Sequence, residues 1–130
     1  MEPPVDRIRI SLVAKEQLTE LKQTTEIEQW NILCRWAFCL SLAEPAEPSP
    51  VPLPADSNVE MSWRVFGGEM SALLLVALKQ RCWQDGLGTD RKTLAEQFRL
   101  HLHRGIGYLG GEQQVDAIED LIEIARSSSR

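Results

Sequence analysis

The side chains best suited to covalent or metal chemistry in this 130-residue sequence are three cysteines and two histidines, and their spacing gives them neither role. Cys34 and Cys39 lie five residues apart in an apolar stretch of helical character, which puts them on opposite faces and prevents them from pairing with each other. Cys82 sits in a second apolar stretch. All three are expected to be buried small hydrophobes in a reducing compartment, where the protonated thiol is favoured over the nucleophilic thiolate. His101 and His103 are two apart on one predicted helix, so they point apart and cannot chelate one metal from adjacent turns. His101 falls on the apolar side and is expected to be a hydrogen-bonded core residue. Gly67-Gly68 could cradle an anion with backbone amides at a helix start, but Glu69 follows them and the Lys or Ser/Thr of a phosphate loop does not. There is no nucleophile elbow, no P-loop, no metal-ligand spacing and no pair of carboxylates in a glycine-marked cleft. The residues predict no catalysis, no metal and no cofactor.

What remains is charge. A net charge of −5 excludes a protein that coats nucleic acid by bulk attraction, so any such contact must be a local patch. Residues 79–104 are the basic part of the chain, with Lys79, Arg81, Arg91, Lys92, Arg99 and Arg104 against Asp85, Asp90 and Glu96. Three groups of basic residues share a face. Arg7 and Arg9 alternate with Ile8 and Ile10, as on a strand with one wet side. Lys15 and Lys22, seven apart, stack along one side of a helix. Lys92 and Arg99, with His103, fall opposite the apolar residues of another. Each group reads either as a solvated face or as a set of phosphate contacts.

The elements that would position these groups follow from periodicity. Arg7 to Ser11 is a short strand, and Ser11 also caps a helix carrying Ala14, Leu18 and Leu21. A capping box, Thr25-Glu26-Ile27-Glu28, predicts a second helix running through Leu42, apolar nearly all round with Arg35 as its one charge after the first turn. Such a helix needs cover on several sides, and a lone five-residue strand needs a partner. The unit from 7 to 43 is therefore expected to pair with a second copy of itself. Glu44 to Pro54 holds five prolines in eleven residues and reads as a stiff connector laid over the surface or as a proline-recognition ligand. Val59, Met61, Trp63 and Val65 alternate with Glu60, Ser62, Arg64 and Phe66, which fits a half-buried strand. A mostly buried helix is predicted over 69–84, ended by Asp85-Gly86. Another is predicted over 91–106, capped by Thr89 or Asp90, with Leu94, Phe98, Leu102 and Gly105 inward. A last acidic helix is predicted over 112–125, with Val115, Ile118, Leu121 and Ile122 on one side. No apolar run reaches 18 residues and no signal peptide opens the chain, so a cytoplasmic protein is expected.

Strand-helix-helix is the order of the ribbon-helix-helix fold. The string Asn31-Ile32-Leu33-Cys34-Arg35-Trp36-Ala37-Phe38-Cys39-Leu40-Ser41-Leu42 further resembles the DndE family, the small subunit of bacterial DNA phosphorothioation systems. So do Asp56-Ser57-Asn58-Val59-Glu60-Met61, Val65-Phe66-Gly67-Gly68-Glu69 and the run from Phe98 to Leu109. The resemblance covers about Arg7 to Gly111. The fold expected is mainly α and single-domain. It has a ribbon-helix-helix-like unit at 7–43, the connector at 44–54, a helical second half at 55–111 and the acidic helix at 112–130. The resemblance implies a non-catalytic subunit that forms tetramers and binds duplex DNA with a preference for nicks. It also implies that other Dnd subunits carry the sulfur and ATP chemistry. Charge and facing, rather than the family, single out Arg7, Arg9, Lys15, Lys22, Lys92 and Arg99 as candidate DNA contacts. Two other readings stand beside this one: a ribbon-helix-helix regulator reading bases with Arg7, Arg9 and Ser11, and an assembly subunit without DNA contact.

Overall fold

The computed structural model describes residues 2–112, so the acidic helix expected beyond Glu112 lies outside the described residues. The architecture is mainly α, with a two-stranded ribbon at one side. Strand β1 (Arg7–Arg9) pairs antiparallel with β2 (Glu60–Ser62) of the same chain, in the register Arg7 to Ser62, Ile8 to Met61 and Arg9 to Glu60. The ladder extends past both ends, with Trp63 N–H donating to Asp6 O and Ile10 N–H to Val59 O. The strand thus finds within its own chain the partner expected from a second copy. Ile8, Ile10, Val59 and Met61 face inward and are buried.

Helix α1 (Leu12–Thr25) starts as its sequence dictates, with Ser11 Oγ accepting from Ala14 N–H at 3.1 Å. Its buried stripe is Ala14, Leu18, Leu21 and Thr25. Thr25 continues that stripe by one turn, and this overturns the expected capping box. The Thr25 hydroxyl donates to Leu21 O at 2.6 Å and accepts from Ile27 N–H, so it closes α1 instead of opening the next helix. Glu26 follows in the left-handed region at φ 61°. Helix α2 begins only at Trp30 and runs to Ala43, with no side-chain cap at Gln29.

As its lack of a polar face required, α2 is covered from several directions. Helix α5 (Arg91–Gly107) lies along it so closely that a Cβ on Gly105 would sit 1.8 Å from Ala37 O. Phe38 on α2 and Phe98 on α5 stack with Phe66 and Trp63 in a four-ring cluster with centroids 5.1–5.7 Å apart. Asp90 caps α5 by accepting from Thr93 N–H, deciding between the two expected caps.

The alternation through Phe66 does not remain a strand. Ser62 Oγ accepts from Val65 N–H and turns the chain into the short helix α3 (Trp63–Gly67), which buries Phe66 and leaves Val65 exposed. A 3-10 turn at Gly68–Met70 leads into α4 (Ser71–Gln84), which starts two residues later than expected. Helix α4 buries Leu74, Leu75, Leu78, Arg81 and Cys82 but exposes Leu73, Val76 and Trp83, so among the described residues it is covered on one side. Gly86 closes it at φ 76°, with Leu87 N–H reaching back to Cys82 O.

The proline-rich connector carries no helix or strand, and two arginines hold its first three residues. All five N–H groups of the buried Arg81 are used: Nη1 on Leu42 O and Glu44 O, Nη2 on Pro45 O and Ala46 O, Nε on Asp85. Arg104 adds Ser41 O, Ser41 Oγ and Ala46 O. Both cations sit at the carbonyl end of α2, where the helix dipole favours positive charge. Proline cannot supply the N–H groups of a ladder, so its neighbours' carbonyls need outside donors, and the arginines provide them.

Candidate nucleic-acid interface

The antiparallel register puts Arg7 and Arg9 on the outward face of β1, with Glu60 of β2 between them on the same face. Arg7 Nε donates to Glu60 Oε1 at 2.9 Å and Arg9 Nη2 to Oε2 at 2.6 Å. Hydrogen bonds from Arg7 and then Arg9 hold the Glu60 carboxyl below its ordinary pKa. Lys15, one turn into α1, reaches the segment just before β2, where its Nζ donates to Asn58 Oδ1 at 2.6 Å. Asp56 is also nearby, accepting from Leu12 N–H.

Arg99 comes to the ribbon from the other direction. Its Nη1 donates to Arg9 O and its Nη2 to Leu53 O, both at 2.9 Å. The guanidinium therefore covers the outer edge of β1 and ties the end of the connector to it. His103, one turn on, uses both ring nitrogens: Nε2 accepts from Ser11 N–H at 3.1 Å and Nδ1 lies 2.9 Å from Arg99 O. Those contacts require the neutral ring with the proton on Nδ1, and burial lowers the His103 pKa accordingly. His103 is part of the scaffold and not of a cationic stripe.

Of the six candidate contacts, Arg7, Arg9, Lys15 and Arg99 meet around the ribbon. Lys92 is exposed, two turns from Arg99 along α5. Lys22 is two turns from Lys15 along α1, with its ammonium 4.0 Å from the centre of the Trp30 ring. Asn58 and Glu60 accept from these cations, and the sequence did not mark them as their partners, because the two sides of each bond lie 43 to 53 residues apart.

The groups with covalent potential are placed elsewhere. Burial pushes the Cys34 thiol up to about 12 and the Cys82 thiol to about 11. Cys39 is exposed, contrary to the expected burial of all three. Desolvation by its surroundings still holds its thiol above the ordinary value, with Arg35 acting the other way. His101 is fully buried, its Nδ1 2.8 Å from Ser41 Oγ. Burial, then Arg104 and Arg81, bring its pKa down to about 4. Among the described residues no three of His, Cys, Asp and Glu gather as a metal site would require, and no helix is long and apolar enough to cross a membrane.

The sequence profile of the DNA sulphur modification protein DndE matches residues 7–117. The chain belongs to the DndE family. Two solved structures share this DndE fold. The crystal structure of DndE from Escherichia coli B7A, involved in DNA phosphorothioation modification, is 27% identical with a TM-score of 0.67, over 81% of this chain and 96% of that one. A DndE mutant with two glycines changed to lysine, also involved in DNA phosphorothioation, is 25% identical with a TM-score of 0.61, over 81% and 98%. No match was found among curated proteins. Family membership ties the chain to DNA sulphur modification, and it covers the whole strand-helix-helix unit together with β2 and α5, the elements that build the ribbon face.

Proposed function

We propose that this chain is a non-catalytic, DNA-binding subunit of a DNA phosphorothioation complex. In this reading it works in the cytoplasm as a homo-oligomer, a tetramer, alongside the other Dnd subunits. It grips duplex DNA through phosphate, with a preference for nicked duplexes. The observation that carries the reading is the outward ribbon face, where Arg7 and Arg9 share Glu60 and Lys15 bonds Asn58 two residues before it, on an otherwise acidic chain. Lys92 and Lys22 extend the basic surface along α5 and α1, and Arg99 fixes β1 while adding its charge. Contacts of this kind position a duplex without reading its sequence. A nick interrupts stacking and lowers the energy of bending, so a small patch can meet more phosphate on a nicked duplex than on an intact one. Raised thiol pKa values at Cys34 and Cys82 fit a chain that leaves sulfur chemistry to its partners.

A ribbon-helix-helix regulator pairs β1 with its copy in a second chain. Here β2 takes one edge and Arg99 holds the carbonyl of Arg9 on the other, which weighs against that reading. Mobility shift with intact, nicked and gapped duplexes of unrelated sequence, at two salt concentrations, tests the proposal. Tighter binding to nicked duplexes, alike for all sequences and weaker at high salt, is the expected result. Selection of a palindromic site would favour a regulator, and no binding at low salt an assembly role.

A further inference from the structure

The outward ribbon face already holds an anion. Glu60 gives one oxygen to Arg7 at 2.9 Å and the other to Arg9 at 2.6 Å, so a single carboxylate bridges two guanidiniums. A strand's period of two places those guanidiniums on one side, with backbone attachment points about 6.8 Å apart. This is the arrangement in which a pair of arginines holds a phosphate. The bridge is not a buried structural pair: the Arg7 and Arg9 side chains are 63% and 48% exposed, and that of Glu60 29%. Exposed ion pairs contribute little and exchange readily with solvent anions. The inward face of the same ribbon, through Ile8, Ile10, Val59 and Met61, anchors it in the core without help from Glu60.

We propose that Glu60 is an internal occupant of the phosphate site, holding Arg7 and Arg9 in phosphate-binding geometry while competing with nucleic-acid phosphate for them. This rests on the DNA-binding reading and names the residue that limits its affinity. With Glu60 in place the arginine pair offers a phosphate a net single charge; without it, two. Removal of the carboxylate should therefore strengthen binding and steepen its salt dependence together, which a merely structural carboxylate would not do.

Fluorescence anisotropy with a labelled nicked duplex across a salt series tests this on the full chain, using Glu60→Gln, Glu60→Gln combined with Arg9→Ala, and Glu28→Gln. Glu28 lies past the far end of α1, about 20 Å from the ribbon along the helix. Glu60→Gln is expected to bind about fivefold tighter, with a slope of log affinity on log salt steeper by about 0.9. Glu28→Gln should match the wild type, and the double variant should lose the gain. Binding by Glu60→Gln that equals or falls below wild type overturns the competition while leaving the DNA-binding reading intact. An equal gain in Glu28→Gln assigns the effect to overall charge and overturns it too. Failure of every variant, wild type included, to bind at low salt overturns both.

Discussion

Single residues in this chain do unequal work, and the buried ones carry most of the stability. Arg81 uses five donors on four carbonyls and Asp85, and no other side chain could reproduce that planar set. Arg81→Ala removes the guanidinium donors from Leu42 O, Glu44 O, Pro45 O and Asp85, leaving Ala46 O with Arg104, and should cost about 3–5 kcal/mol in urea unfolding; a loss under 1 kcal/mol would contradict its role. His101 supplies a pH dependence. Its pKa is about 4 in the folded chain against an ordinary 6.5, so above about pH 6.5 neither state is protonated and folding gains nothing or loses nothing. As pH falls from 6.5 toward 4 the unfolded chain takes up a proton that the folded one refuses, and stability declines. Arg104 and Arg81 press against the charged ring and Asp85 favours it, with Ser41 Oγ its hydrogen-bond partner. Between pH 7.5 and 5 the loss should be about 2 kcal/mol, and His101→Gln should flatten it. Equal slopes in the two proteins would contradict this. Helical spacing identified His101 as core and Asp90 as one of two caps. Glu60 was illegible, because its meaning depends on a register that joins residues more than 50 apart.

Elements followed local sequence wherever one face had to be buried, and departed from it where two signals competed. Helix α1 kept its cap and its stripe, and the stripe then claimed Thr25 from the expected capping box, since burial outweighs a reciprocal cap. In the alternating segment from Val59, Ser62 offered a helix cap that the strand pattern did not reveal, and the core took Phe66 in place of Val65. The contact of α5 with α2 was visible only as a glycine on an apolar face. Its consequence is sharp: Gly105→Ala drives a methyl group into the Ala37 carbonyl. That substitution should destabilise by about 3 kcal/mol or abolish folding, whereas Gly107→Ala, with open space around it, should cost under about 1 kcal/mol. Similar thermal midpoints for the two variants would contradict the close approach.

At the scale of the molecule, the described residues of an acidic chain present a small cationic face and an apolar face on α4. Leu73, Val76 and Trp83 stay exposed on α4, at 60%, 50% and 69%, a surface that single chains rarely leave to water. Sedimentation at micromolar concentration should therefore give a multiple of 14.7 kDa, and a well-behaved monomer would contradict the proposed homo-oligomer. The net charge was legible from composition; the convergence of strand, first helix and fifth helix was not, because it depends on tertiary pairing across the connector. The most direct test of phosphate-driven binding at that face is the salt dependence of affinity for a nicked duplex. If about four phosphates are neutralised, log affinity should fall with log salt at a slope near −3.6. Arg9→Ala with Lys15→Ala should weaken binding to all sequences alike and flatten that slope by about 1.8. A slope untouched by the double substitution, or a loss confined to one preferred sequence, would contradict the assignment of this face.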